Sequence, residues 1–463
     1  MASPMVPCHC IISHPEEPKF LVIRHSNGWS PPLLQVPTDG TLMYKPAVIN
    51  QGMMKKYGLR TTVLRHILSA RNYHCIELEL HASSPRNLQA VWVDRDNYAQ
   101  FRRQDAGSDD PFEAWLRERE SGAVPPLRSP WERPGWYREA EQWLTDRLVE
   151  LDIQASGSIQ QFKAGVPISC ILRVATARGQ IYFKAGYPKP PGEVRLTRLL
   201  ADRWPDLVPR PLATDENRNW MVMRDFGMKK ENRAKPAHYP EFARALARFQ
   251  IEAADDIGAF AGISCPVMDL DFLGNATGVE DLLKRVEPLL SGGMRALDQT
   301  EMDRLRQAIS RSPTACAELG EYQIANSLAH LDYRPDNWFV EGGVCRVMDW
   351  ADVVISHPFM SLCQALSFFD EHGTGEPGRA DATPFDDRKK EAMIKAYLDV
   401  FRAHGSSQNL DASLEVASRV YPLLRFCFVA SELQYLEDQG PHNLEVRNLL
   451  KQSARMLISD ANP

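Results

Sequence analysis

Hydrophobic and polar residues recur at two different periods along this chain. Near the N-terminus the period is close to two. Residues 19–24, 61–68, 74–80 and 90–94 alternate or run aliphatic and β-branched, which predicts strands. Pro46 to Tyr57 reads as a helix that starts at a proline and stops before Gly58. Asp110 to Glu120 reads as a second helix, with Asp109 or Asp110 as its cap. Residues 124–134 hold four prolines in eleven positions, which suits a stiff junction. Beyond it Trp136, Ala140, Trp143, Leu144 and Leu148 fall at helical spacing, so these tryptophans read as packing.

From about residue 155 the strand period returns. Residues 170–176 and 181–185 flank a turn containing Gly179 and predict a hairpin. A helix over 193–204 and a strand over 220–223 follow. The remainder is helical in period, over 239–254, 301–310, 358–369, 387–401, 414–438 and 444–458, with a strand cluster near 328–349. This order predicts an α+β chain in four parts. They are a small α/β domain (1–125), a proline-rich linker and helix (126–152), a small β-rich lobe with its connector (153–227) and a large helical lobe (228–463).

Bulk properties narrow the function classes. At 463 residues the chain is too long for one ordinary core. Hydrophobic residues make up 44% and charged residues 25%, as in a folded globular protein. A net charge of −6 gives no reason to expect a nucleic-acid partner. No apolar run nears the roughly 20 residues that span a bilayer, so no membrane partner is expected. The N-terminus lacks a basic segment followed by an apolar one, so a cytoplasmic location is expected. Nine scattered cysteines, with only Cys8 and Cys10 close, read as reduced buried thiols.

The densest chemistry lies at His330-Leu331-Asp332, with Asn337 five residues after the aspartate and Asp349 twelve residues after the asparagine. Phosphoryl transfer needs the phosphates and the acceptor held in line and the developing charge neutralised by metal. It needs a carboxylate beside the acceptor hydroxyl, for which Asp332 is the candidate. It also needs hard oxygen ligands for magnesium, which Asn337 and Asp349 offer. The segment between them predicts a hairpin that turns at 341–343 and returns Asp349 to the end where Asn337 sits. His330 is a candidate for the same site, more as a hydrogen-bonding loop residue than as an acid or base.

These residues resemble the signature of the aminoglycoside phosphotransferase family, kin to choline kinases: H-G-D-x-x-x-x-N followed by I-D-W. Here it stands as His330-Leu331-Asp332, Asn337 and Met348-Asp349-Trp350. The resemblance implies a two-lobed kinase-like fold, ATP and Mg2+ as cofactors, Asp332 as catalytic base and Asn337 and Asp349 as magnesium ligands. It implies an alcohol-bearing small molecule as acceptor. Leu331 departs from the usual glycine and puts the loop's efficiency in doubt. Protein kinases carry D-F-G where this chain has Asp349-Trp350-Ala351, and no A-P-E segment follows, so a protein acceptor fits less well.

The same resemblance implies that Lys184, on the 181–185 strand opposite Ile181 and Phe183, contacts the nucleotide phosphates. The alternative is a solvent-facing strand lysine. Glu193 would be its ion partner, or a first-turn acid favoured by the helix dipole. Met223 and Asp225 fall where the connector would meet adenine, although Met223 also suits a plain core. The place of a glycine-rich loop, 161–169, holds a single Gly165. Glu371, Glu376, Glu432, Glu437 and Asp438 are candidates to hold a cationic acceptor, or are simply solvated acids.

Residues 5–120 faintly resemble a Nudix-type domain, through residues 20–24, Trp29, residues 34–37, Gly40 and the helix ending at Tyr57-Gly58-Leu59. No glutamate lies from Thr38 to Leu59, and Lys55 and Lys56 stand where acids would bind metal, so the module is expected to be silent. The competing expectation for the whole chain is a kinase-like binding or regulatory protein with weak turnover.

Overall fold

The computed structural model describes residues 5–25, 28–37, 46–70, 73–81, 88–101, 110–166, 169–187, 189–225, 233–293, 295–372, 387–405, 409–435 and 441–460. Gly40, Glu376, Glu437 and Asp438 from the readings above lie outside these residues. The chain is α+β and divides into a β-rich and a helical unit. The first holds Met1–Tyr187, Leu212–Arg224 and Tyr435–Leu444, and the second Pro188–Pro211, Asp225–Gln434 and Glu445–Pro463.

The first unit carries two sheets. Strands β1 (Met5–Ser13), β2 (Phe20–His25), β3 (Gly28–Ser30), β4 (Leu33–Pro37), β5 (Thr61–Ala70), β6 (Tyr73–Leu80) and β7 (Ala90–Val93) form a seven-stranded sheet. Its helices are α1 (Pro46–Tyr57), α2 (Arg95–Tyr98) and α3 (Pro111–Ser121). Period-two alternation sends Cys8, Cys10 and Ile12 towards Ile49 and Met53 of α1. Ile11, Phe20 and Cys75 pack instead on Phe112 and Trp115 of α3. Asp110 caps α3, as expected, by accepting from the Phe112 N–H. No strand was expected at β1, and Pro7 works against a central one. Its parallel ladder with β6 begins only at Cys8, so the missing proline N–H leaves no gap there.

The second sheet is antiparallel, in the order β11-β12-β10-β9-β8. Its strands are β8 (Gln160–Val166), β9 (Ser169–Thr176), β10 (Gly179–Gly186), β11 (Ala213–Asp215) and β12 (Trp220–Arg224). The expected 170–185 hairpin is β9 and β10, and Gly179 holds φ +116° at its turn. Helix α4 (Trp136–Glu150) covers one face. Trp136 and Trp143 each meet Phe183 and Trp220 edge-on or tilted, so both tryptophans are packing residues.

The two sheets are stapled by one side chain. β5 ends the seven-stranded order, which leaves an outer edge of main-chain donors and acceptors. Gln161 of β8 fills it: its Oε1 accepts from the Val63 N–H at 2.7 Å and its Nε2 donates to the Val63 carbonyl at 2.8 Å. Asn50 of α1 donates to the same Oε1 at 3.0 Å. The proline-rich stretch is equally fixed. Trp131 is buried in the α4 cluster, and Arg128 shares Glu118 of α3 with Arg65 of β5.

The second unit is helical. Helices α5 (Glu193–Arg203), α6 (Tyr239–Ala254), α7 (Ile257–Gly262), α8 (Leu270–Gly274), α9 (Ala276–Ser291) and α10 (Gln299–Gly320) come first. After the strands described below come α11 (Phe359–His372), α12 (Asp387–Ala403), α13 (Leu410–Glu432) and α14 (Pro441–Asp460). Helix α10 runs ten residues beyond the expected end at Ser310, through Pro313. A buried face of Leu305, Ile309, Cys316 and Leu319 holds it through the proline. No described helix is long and apolar enough to cross a membrane. All nine cysteines are free, and all but Cys345 are buried.

Replacing Gln161 by Leu keeps its bulk and strands both Val63 main-chain groups. We expect chemical denaturation to report a loss of about 2 kcal/mol, in line with the cost of leaving buried polar groups unpaired.

Candidate active site

Strand β13 (Ser327–His330) pairs with β16 (Val353–Ser356), and β14 (Trp338–Glu341) pairs with β15 (Val344–Val347) as the expected hairpin. Gly342 and Gly343 turn it with positive φ. The loop from His330 to Asn337 follows β13, and the turn carrying Asp349 joins β15 to β16. Trp338 faces Val347 across the hairpin, so Asn337 and Met348 meet one step beyond.

The two loops are joined at the main chain of Met348. Its N–H donates to the Asn337 carbonyl at 3.0 Å, and its carbonyl lies 3.3 Å from His330 Nε2. His330 Nδ1 accepts from the Asp332 N–H at 3.1 Å. A main-chain N–H can only donate and a carbonyl can only accept, so the ring is neutral and carries its proton on Nε2. Burial depresses its pKa to about 4, with the Met348 hydrogen bond opposing. Both ring nitrogens are engaged with main chain, so the geometry makes His330 a positioning residue and not a proton carrier.

Asp332 has two side-chain partners. Asn337 Nδ2 donates to its Oδ2 at 2.8 Å and to its main-chain carbonyl at 2.9 Å. Arg334 Nε stands 3.0 Å from its Oδ1. With both amide protons spent on Asp332, Asn337 Oδ1 is turned away from that carboxylate. Desolvation raises the Asp332 pKa to about 6, despite Arg334, and Asp352 and Asp349 add to the rise. The side chain keeps 24% of its surface, enough for a ligand to reach it.

Asp349 has φ +63°, a left-handed conformation rare outside glycine. Trp350 Nε1 donates to the Val347 carbonyl at 2.9 Å and closes the turn. Val347 and Trp350 go into the core while Asp349 is exposed. Leu331 does not disturb its loop. It is fully buried in the core, and its N–H donates to the Asp352 carbonyl at 2.7 Å.

His330, Asp332, Asn337 and Asp349 therefore gather in the helical unit. Glu193 is the buried first residue of α5 in that unit, and Asp225 begins a later segment of it. Lys184 and Met223 belong to the first unit, on β10 and β12. Register puts Lys184 opposite Met221 and Met223 opposite Tyr182, so both lie on the sheet face away from α4.

Sequence reading missed the supports. Gln250 of α6 is fully buried; its Nε2 reaches the carbonyls of Leu328 and Pro358 at 3.0 and 2.8 Å and Ser361 Oγ at 3.1 Å. Tyr397 donates to its Oε1 at 2.6 Å, and Ser361 Oγ accepts from the His330 N–H at 2.8 Å. Lys189, Asp352, Arg425 and Glu432 were missed as a group. Arg425 interrupts the otherwise apolar run from Val420 to Ala430, and Glu432 follows just beyond it, which was the available signal.

Replacing His330 by Phe should cost about 2 kcal/mol in denaturant unfolding, because two buried main-chain groups lose their partners. Hydrogen exchange at the Asp332 amide should accelerate with it.

Among curated proteins, none matches this chain. Three solved structures of low identity are similar. The choline/ethanolamine kinase family protein from Mesorhizobium loti is 14% identical over 67% of this chain and 90% of its own, with TM-score 0.43. Choline kinase from Streptococcus pneumoniae is 12% identical over 69% and 99%, with TM-score 0.44. The GDP complex of aminoglycoside 2'-phosphotransferase-IIIa is 14% identical over 68% and 99%, with TM-score 0.43. Residues 172–392, which contain the whole of the loop and turn just described, match the model of the phosphotransferase enzyme family.

Proposed function

We propose that this chain is a phosphotransferase that moves the γ-phosphate of ATP to a hydroxyl of a small molecule. The observation that carries the reading is the Met348 main chain, which holds the Asp332–Asn337 loop and the Asp349 turn together. Asp332 accepts the acceptor's hydroxyl proton as the oxygen attacks phosphorus. Asn337 Oδ1 and the Asp349 carboxylate are the oxygen donors for Mg2+. Among the described residues no cluster of three His, Cys, Asp or Glu is placed to cage a metal. Two protein oxygens suit magnesium, which takes its other ligands from phosphate and water. When bound, the ion neutralises charge on the phosphates. Lys184 binds those phosphates, with Glu193 as its expected ion partner, and Met223 and Asp225 line the adenine side. His330 fixes the loop.

The competing reading, a kinase-like binding protein without turnover, leaned on Leu331 and on the missing glycine-rich loop. Burial of that side chain with its N–H paired supports the active reading. The N-terminal sheet, in this proposal, is a silent Nudix-like docking module.

Asp332→Asn should lower kcat by about 10²- to 10⁴-fold while fold and nucleotide affinity persist, read by single-turnover transfer and a binding titration. Retained turnover would overturn the base. The pH profile gives a second test. Only ionised Asp332 accepts a proton, so kcat/KM should fall as pH drops through about 6. Arg334→Met removes a charge that opposes the rise and should move that limb to higher pH.

A further inference from the structure

Beside Asp332 one stripe of α13 meets the loop. Tyr421, Arg425, Phe428 and Glu432 recur at helical intervals on this mostly buried helix. Lys189 lies over the Phe428 ring, 5.4 Å from its centre, and its Nζ is 2.7 Å from Glu432 and 3.4 Å from Asp352. Asp352 is tied to the loop through Leu331, and Arg425 Nη1 donates to the Leu331 carbonyl at 3.3 Å. These groups surround the residue next to the assigned base.

Of the acids beside the loop, Glu432 is held by Lys189 at 2.7 Å and Asp352 lies 3.4 Å from the same ammonium, so neither is free to take a cationic acceptor without competing with Lys189. The Lys189 and Glu432 side chains keep only 16% and 19% of their surface. Burial alone would favour neutral lysine, yet the two carboxylates hold its pKa above the ordinary value. Displacing Lys189 from such a pair strands a buried charge. The group with capacity to spare is Arg425. Its guanidinium makes one hydrogen bond among the described residues, and that at long range. The planar fork matches a carboxylate or phosphate with two parallel bonds. Arg334 adds positive charge on the same loop, although its Nε faces Asp332.

We infer that the acceptor is a small hydroxylated anion, its carboxylate or phosphate held by the Arg425 fork and its hydroxyl presented to Asp332. Arg425 is bonded to the carbonyl immediately before Asp332, so the anionic group and the reacting hydroxyl are separated by a few bonds. Lys189 serves as an internal counter-cation that keeps the two acids from repelling this ligand. The inference rests on the phosphotransferase reading and names its substrate class.

The test uses the full chain with ATP and Mg2+ and four probes: glycerate, glycerol 3-phosphate, glycerol and choline. Labelled γ-phosphate should pass to the anionic alcohols in preference to glycerol and choline. Arg425→Met should raise KM for the anions about 10- to 100-fold, with kcat changed by only a few-fold, and Arg425→Lys should fall between. Calorimetric titration of glycerate and glycerol 3-phosphate should show saturable binding that weakens in Arg425→Met. Preferred transfer to choline overturns the inference, as does a lack of Arg425-dependent binding by both anions. Arg425-dependent anion binding with no transfer to any probe overturns the phosphotransferase reading and leaves the anion site standing.

Discussion

The main chain of one residue, Met348, governs this site. Its neighbour Asn337 takes the Met348 N–H and His330 reaches the Met348 carbonyl, so two loops that follow different strands cannot separate without stranding main-chain groups. The ring that makes one of these bonds also accepts from the Asp332 amide. A shift of the Asp349 turn would therefore be felt at Asp332 within two hydrogen bonds. Ser361, itself held by Gln250, accepts from the His330 main-chain N–H from the core side. The chemistry is placed by main-chain bonding, and the reactive side chains inherit their positions from it.

Electrostatics around that frame is a balance of desolvation against pairing. Burial keeps His330 neutral and raises Asp332, while Arg334 and Asn337 hold the carboxylate back towards its ordinary range. Lys189 is the opposite case, a buried cation kept charged by two acids. The site thus combines a carboxyl group of raised pKa with a fixed internal ion group.

Much of this was legible in the chain. The hairpin between Asn337 and Asp349 followed from the two glycines and flanking aliphatics, and the α1, α4 and α6 bounds followed from periodicity and breakers. The helical spacing of Trp136 and Trp143 gave their packing role. Strand β1 was hidden by Pro7, whose cost depends on where a neighbour's ladder starts, a tertiary fact. The continuation of α10 past Pro313 was hidden for the same reason. The partners of Lys189 lie 163 and 243 residues away, a separation no local pattern reports. Leu331, which departs from the usual glycine, is accommodated because its side chain has a core to enter.

The Gln161 staple has a consequence for how this protein can be divided. The family-matched stretch opens at Leu172, inside β9, and so omits β8, α4 and every strand of the first sheet. Such a fragment would bare the apolar sheet face that Trp136 and Trp143 cover, and it would lack the first half of a hairpin. The N-terminal sheet is thus less an appendage than a wall shared with its neighbour. An excised fragment would have to begin well upstream of the family-matched stretch to keep its own core dry.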